Sequence, residues 1–536
     1  MDVLFHGATV YDGSGAAGLV TDVLVGGDKI RAVGPSATAL GAQHSIDVAG
    51  LALAPGFIDL HSHADFTLPV YSTATNSIAQ GVTTEVVGLC GFSPAPLSEQ
   101  PAFAQQWQAY SFGQHLSWDW RTFGEFLDQL DAAGPAVNVV PLVGHGALRV
   151  AALGLDDRPA SLSELETIRA ALAEALSAGA WGMSTGLAYA PGVFTPPEEL
   201  LQLAQELRRS DSLYASHIRN EADHLVESVD EALSLGERLG LRVQVSHLKS
   251  VGSRNHGHIG GAVERIASAR ARGVRVNCDV YPYTAGSTFL HQLLPPWVKA
   301  GGTDDMVERL RTPDVRRRLR HELDTGLPGW GNQLESAGGW HNVLIASTGN
   351  SRLHSVEGHR VAELAAKDEL DPLDWTLDLL IQDRGATVMV LFSMDEADVR
   401  AALQSPQAGV GSDQLGVSGP DARMHPRAYG TFARVLHWSL QDPSWMPLET
   451  AIHKMTGLSA QIMGLEDRGR IAPGAVADLV LFDPTRVADL ATYEDPARHP
   501  SGVEYVLVAG CFALERGKLA ELGQGKVLRR RAALPT

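Results

Sequence analysis

The sequence predicts an α/β fold: a (β/α)8 TIM-like barrel over residues 55–467, with a small β-domain assembled from the two chain ends. Three observations predict it. Through the middle of the chain, short apolar runs alternate with amphipathic helical stretches about eight times over. The first 54 residues and those from 468 onward read instead as short strands broken by glycine turns. Several apolar runs of the middle also stop at a histidine, a cysteine or an aspartate, as catalytic residues do at the C-terminal ends of barrel strands.

The β-rich ends come first. "VLFHGATVYDG", "DVLVGGDKIRAVG" and "HSIDVAGLALAPG" at one terminus match "GRIAPGAVADLVLFDP" and "GVEYVLVAGCFALERGKL" at the other. One β-domain made of residues 1–54 and 468–536 needs fewer separate units than two. Between them the strand candidates are "GFIDL", "VTTEVVG", "VNVVPLVG", "AWGMSTG", "LYASH", "LRVQVSH", "VRVNCDVYP", "VMVLFSM" and "AGVGSD". "SLSELETIRAALAEALSAG" and "PEELLQLAQELRRS" carry a clear helical period. A doubly wound open sheet is the alternative, but no G-x-G-x-x-G follows the early strands to support it. The candidates slightly outnumber the strands of a barrel, which leaves the seventh strand unassigned. From about 285 to 345 Pro, Gly and Trp interrupt the alternation, the pattern of an insertion over one barrel mouth.

Composition narrows the function. The chain has 536 residues, 44% hydrophobic and 20% charged, with a formal net charge of −19. That describes a globular protein and argues against binding a phosphate backbone. Three cysteines (Cys90, Cys278 and Cys511) with no C-x-x-C are poor material for a disulfide framework. The start "MDVLFHGATVYDG" lacks the pattern of a signal peptide, and no apolar run approaches the length of a membrane span. The expectation is a cytoplasmic protein with neither nucleic acid nor membrane as partner; its oligomeric state is not legible.

The most informative stretch is "PGFIDLHSHADF", residues 55–66. Its apolar run fits a strand buried on both faces, although periodicity alone leaves a helix segment open. On a strand, His61 and His63 would project to one side. Two neutral imidazoles side by side form a chelating pair for zinc or a similar borderline metal. Elsewhere "TTEVVGLC" ends in Cys90, "VNVVPLVG" leads to His145, "LYAS" to His217, "LRVQVS" to His247 and "AGVGS" to Asp413. Each alone could be a buried polar residue or, for Asp413, a helix cap. Together they predict a metal site. Asp413 is the expected catalytic group: a metal-activated water needs a base nearby to accept its proton.

The termini, "PGFIDLHSH" and the late "GSD" resemble the amidohydrolase superfamily. More narrowly, "GVTTEVVGLCGFSPAP", "SHIRNE", "VSHLKS", "DVYPYTAGST" and "HPRAYGTFARVL" resemble its D-aminoacylase (N-acyl-D-amino-acid deacylase) branch over nearly the whole chain. The resemblance implies a (β/α)8 barrel with a small β-sandwich and zinc at the barrel mouth. It implies one tightly bound zinc held by Cys90, His217 and His247. A second, weaker position would use His61, His63 and Asp413, bridged through Cys90. Most of the superfamily bridges with a carboxylated lysine or a glutamate; "GMSTG" stands at that place here, and a Cys90 thiolate fills the gap. His145 matches no ligand motif and is expected to be structural or to support a ligand.

The resemblance also implies substrate contacts. Lys249 and Arg427 match positions that grip the amino acid carboxylate, and Tyr189, Tyr281 and Ser287 match further contact positions. The usual "SDG" is replaced by "SDQLGVSGPDARMHPR", so the loop from Asp413 to Arg427 departs from the common form. The expected activity is zinc-dependent hydrolysis of small N-acyl-D-amino acids to a carboxylate and a free D-amino acid. Preference for the D-form is implied by the resemblance alone. A cyclic amidase acting on hydantoin- or dihydroorotate-like rings is the alternative, disfavoured by the missing lysine bridge. A metal-free, non-catalytic relative is a third reading, and the full set of ligand types opposes it.

Overall fold

The computed structural model describes residues 2–113, 115–416, 419, 423–520 and 523–530. Both chain ends enter one nine-stranded sheet. Strand Asp2–Val10 pairs antiparallel with Leu19–Gly26 and parallel with Ala52–Pro55. Ala52–Pro55 in turn pairs antiparallel with Leu479–Phe482, from the far end of the sequence. Residues two apart on a strand share a face, and here that face is apolar. Val3, Phe5, Val23, Val25, Leu53, Leu479, Leu481 and Leu507 bury together in one cluster drawn from both ends.

The middle of the chain builds parallel sheet. Six strands lie in the order Ala408–Val410, Arg275–Val280, Arg242–Val245, Leu213–His217, Gly182–Gly186 and Val143–Gly144. Three more, Phe57–Asp59, Val82–Val87 and Asn138–Pro141, form a second parallel sheet. Most of these strand residues are buried without alternation, as expected of strands covered on both faces. The two expected helices form over Leu162–Ala178 and Pro197–Arg209. The first is fixed at its start by a capping box between Ser161 and Glu164, and its buried stripe is Leu165, Ile168, Leu172 and Ala175.

One strand is not where the alternation suggested. "VMVLFSM" was expected among the parallel strands, but Val388–Phe392 pairs antiparallel with both Ala285–Phe289 and Val343–Ser347. It packs with the interrupting segment: Leu290, Leu293 and Val343 of that segment share one core with Leu377, Leu380 and Met389 beyond it. Apolar run length carries no information on which sheet a strand joins, hence the surplus candidate. With it removed, Arg275–Val280 neighbours Ala408–Val410 directly.

Residues 417, 418 and 420–422 of the unusual Asp413–Arg427 loop lie outside the described residues, as do 521, 522 and 531–536 of the C-terminal β-segment. Among the described residues no helix is long and apolar enough to cross a membrane.

Candidate metal centre

The polar residues that follow the parallel strands converge. His61 and His63 follow Phe57–Asp59, Cys90 follows Val82–Val87, and His217 closes Leu213–His217. His247 follows Arg242–Val245 and Asp413 follows Ala408–Val410. All six are buried. Three of them occupy left-handed backbone: Cys90 at φ 52°, His247 at 35° and Asp413 at 52°. Non-glycine residues held there cost about 1–3 kcal/mol each, and such strain collects at functional sites.

Cys90 is the hub. Its Sγ lies 3.2 Å from His61 Nε2 and 3.2 Å from His247 Nε2. Asp413 Oδ1 sits 3.5 Å from His61 Nε2 and 3.4 Å from His63 Nε2. Ligand atoms of His61, Cys90, His247 and Asp413 all fall within 4.8 Å of one another. His217 does not join that group. Its ligand atoms gather with Glu221 and His247 in a second one, so His247 belongs to both. His63 stands beside the first group, with its Nε2 at Asp413 and its ring edge-on to His61, centroids 5.5 Å apart.

The fourth strand closes directly against Cys90. A Cβ placed on Gly186, at the end of "GMSTG", would come 2.0 Å from the Cys90 carbonyl oxygen. Gly186 therefore carries no side chain where the strand end meets the Cys90 backbone.

Two carboxylates that the sequence reading missed orient the imidazoles. Asp279 Oδ1 lies 3.0 Å from His61 Nδ1 and also accepts the His247 backbone N–H at 2.8 Å. Glu221 Oε1 lies 3.0 Å from His247 Nδ1. On His61 the Asp279 carboxylate fixes the tautomer that leaves Nε2 free to ligate, whereas His247 Nδ1 lies 2.7 Å from the Lys249 ammonium, which donates to it and is itself held by Glu221. Both had a signal: Asp279 sits at the end of "VRVNCDV", and Glu221 is the last residue of "SHIRNE".

The donor set fits a cation. Among the described residues, both ring nitrogens of buried His217 and Nδ1 of buried His63 have no hydrogen-bond partner. Burial holds His63 below its usual pKa, and His217 and His247 well below it, which favours the neutral form that ligates a metal. Burial, with Asp413 alongside, pushes the Cys90 thiol well above its usual value. The sulfur therefore keeps its proton unless a cation takes its place. Burial alone would raise Asp413 too, but Arg427, His247 and His61 outweigh it and hold its carboxyl well below the usual range. Sulfur, imidazole and carboxylate together suit zinc.

Beside this cluster opens a cleft of roughly 1000 Å³, part of it open to solvent. Tyr189, Lys249, Tyr281, Ser287, His217, His247 and Asp413 all line it, joined by Trp330, Gln333 and Ser336 from the interrupting segment. Lys249 is not free: its ammonium pairs with Glu221 at 2.5 Å, which pushes it up to about 12 despite burial. Arg427 is 1% exposed and stands behind Asp413, with Nη1 2.9 Å from Asp413 Oδ2 and Nη2 donating to the Ser287 carbonyl at 3.2 Å. His145 lies outside both groups, buried 3.7 Å from Glu199, which also pairs with Arg149.

Known proteins resemble this chain along its whole length. The model of the amidohydrolase family matches residues 45–320 and 334–513. An N-acyl-D-aspartate deacylase of Alcaligenes xylosoxydans xylosoxydans is 37% identical, covering 100% of this chain and 96% of its own. The crystal structure of a D-aminoacylase superposes with a TM-score of 0.82 at 35% identity, covering 98% of this chain and 99% of its own. The N-acyl-D-glutamate deacylase of Bordetella bronchiseptica, solved with zinc and a phosphonate that mimics the tetrahedral intermediate, gives 0.83 at 33% identity, over 99% of each chain. With similarity running from end to end, and a cysteine-centred cluster at the strand ends, this chain belongs to the amidohydrolase family, in its D-aminoacylase branch.

Proposed function

We propose that this protein hydrolyses the amide bond of N-acyl-D-amino acids, giving a carboxylate and a free D-amino acid, with zinc as its metal. The observation that carries the reading is the buried cluster of Cys90, His61, His247 and Asp413 at the wall of a cleft. The names of the deacylase relatives supply the linear N-acyl-D-amino acid. Cys90, His217 and His247 would hold the tight zinc, and His61, His63 and Asp413, with Cys90 as bridge, a weaker second position. When bound, zinc supplies Lewis acidity, polarising a carbonyl and making water a stronger acid.

The chain's own groups handle the proton. Asp413 is kept ionised by Arg427, and its Oδ1 takes the proton lost as water adds to the acyl carbon. It returns that proton to the leaving nitrogen as the C–N bond breaks, so the carboxylate ends as it began. Tyr189, Tyr281, Ser287 and Lys249 face the cleft as substrate contacts.

The reading includes the architecture. Eight parallel strands closing into a (β/α)8 barrel, with Asn138–Pro141 and Val143–Gly144 taken as one strand across Leu142, are supported by two links between the sheets. Leu60 N–H donates to the Val410 carbonyl at 3.1 Å and Leu142 N–H to Val87 at 2.9 Å. Residues 55–467 would be the barrel with its insertion, and residues 1–54 and 468–536 a β-sandwich. The cytoplasm is the proposed compartment: all three cysteines are unpaired and Cys511 is exposed.

A linear substrate separates this proposal from a cyclic amidase. N-acetyl-D-amino acids should be hydrolysed far faster than hydantoin or dihydroorotate; faster ring opening would overturn it. Arg427→Ala tests the proton path. Arg427 acts through Asp413, so its loss should cost about 2–5 kcal/mol in kcat/KM, the range for leaving one member of a buried charge pair alone. The loss should be as large for a substrate whose α-carboxylate is replaced by an amide. A loss confined to the carboxylate substrate would make Arg427 a direct carboxylate grip instead.

A further inference from the structure

Each cation beside the metal cluster has its own anion. Lys249 pairs with Glu221, Arg427 with Asp413, and Arg219, also on the cleft wall, with Glu231 at 2.8 Å. Lys299, in the interrupting segment, is different. It is 2% exposed, its ammonium donates one hydrogen bond, to Gln292 Oε1 at 2.8 Å, and it faces no carboxylate among the described residues. An unpaired buried charge is costly unless something neutralises it.

Gln292 connects that charge to the cleft, whose wall it lines beside Tyr189 and Thr288. An ammonium can only donate, so the carbonyl end of the Gln292 amide must face Lys299 and the NH2 end must face away. That NH2 carries two hydrogens. One goes to the Tyr110 hydroxyl at 3.2 Å, and the other remains for an acceptor in the cleft. The Lys299 charge polarises the amide and makes this donor stronger. Burial brings the Lys299 ammonium down to about 7, so an anion nearby would hold its proton in place.

We propose that Gln292, oriented and polarised by Lys299, is the selector for a substrate side-chain carboxylate, making N-acyl derivatives of acidic D-amino acids the preferred substrates. This rests on the deacylase reading above and deepens it. The α-carboxylate belongs elsewhere in the cleft, towards Lys249, Tyr281 and Ser287. There the Lys249 ammonium lies 5.6 Å from the Tyr281 ring centre, near the metal cluster.

N-acetyl-D-glutamate and N-acetyl-D-glutamine differ only in the terminal group and are the probes. The parent should favour the glutamate by about 10- to 100-fold in kcat/KM, the worth of a hydrogen bond to a charged group. In Lys299→Met that ratio should collapse towards one. In Gln292→Glu it should reverse, because the new carboxylate pairs with Lys299 and repels the substrate's. A ratio taken on a single protein is unaffected by the fraction that folds. A parent ratio near one, or a ratio unchanged in both variants, would overturn the proposal. So would equal losses on both substrates, which would assign the wall to the α-carboxylate. A parent that hydrolyses neither probe nor any other N-acetyl-D-amino acid overturns the deacylase reading and this inference with it.

Discussion

Asp413→Asn should fold and bind metal yet lose about 10²- to 10⁴-fold in kcat, the range that general acid–base catalysis contributes. Asparagine has nearly the same shape but cannot accept a proton at neutral pH. The parent carboxylate is well placed to do so, with Oδ2 on Arg427 and Oδ1 turned to His61 and His63. The variant also leaves Arg427 without its buried counter-charge, so some stability should go with it. For that reason kcat is compared at a temperature where circular dichroism finds both proteins folded. A kcat equal to the parent's would move the proton acceptor to another residue of the cleft.

Cys90→Ala should have the larger effect on metal. Cys90 Sγ touches the Nε2 atoms of both His61 and His247, and among the described residues it is the one cysteine in either ligand group. Losing an outer partner of a ligand costs about 10- to 100-fold in metal affinity or activity, and losing the central ligand should cost more. Elemental analysis after dialysis should find most zinc gone, with turnover falling in parallel. Full zinc content would remove Cys90 from the ligand set. Melting should be measured on the same samples, because metal binding and folding are linked.

How much of this was legible in the sequence depends on how local each signal is. The residues after the parallel strands were legible because a short apolar run ending at a single His, Cys or Asp is a local pattern. His61, Cys90, His217, His247 and Asp413 all carry it. The β-rich termini were legible for the same reason. Val388–Phe392 was misassigned because its apolarity is the same whether it joins a parallel strand or Ala285–Phe289. Ligand grouping was not legible either: nothing local says that His217 gathers with Glu221 and His247 rather than with Cys90. The same holds for ion pairs. Lys249 and Arg427 read as cations open to a substrate, and only the fold brings Glu221 and Asp413 onto them. Lys299 gave no signal at all, since its burial depends on the packing of a segment rich in Pro and Gly.

Zinc-dependent hydrolysis of N-acyl-D-amino acids can be put to a single assay. Protein stripped with a chelator is assayed against paired N-acetyl-D- and N-acetyl-L-amino acids, before and after zinc is restored. The account predicts no turnover by the stripped protein, recovery on adding zinc, and recovery for the D-member of each pair only. Hydrolysis that survives stripping, or that favours the L-member once zinc is back, would contradict it.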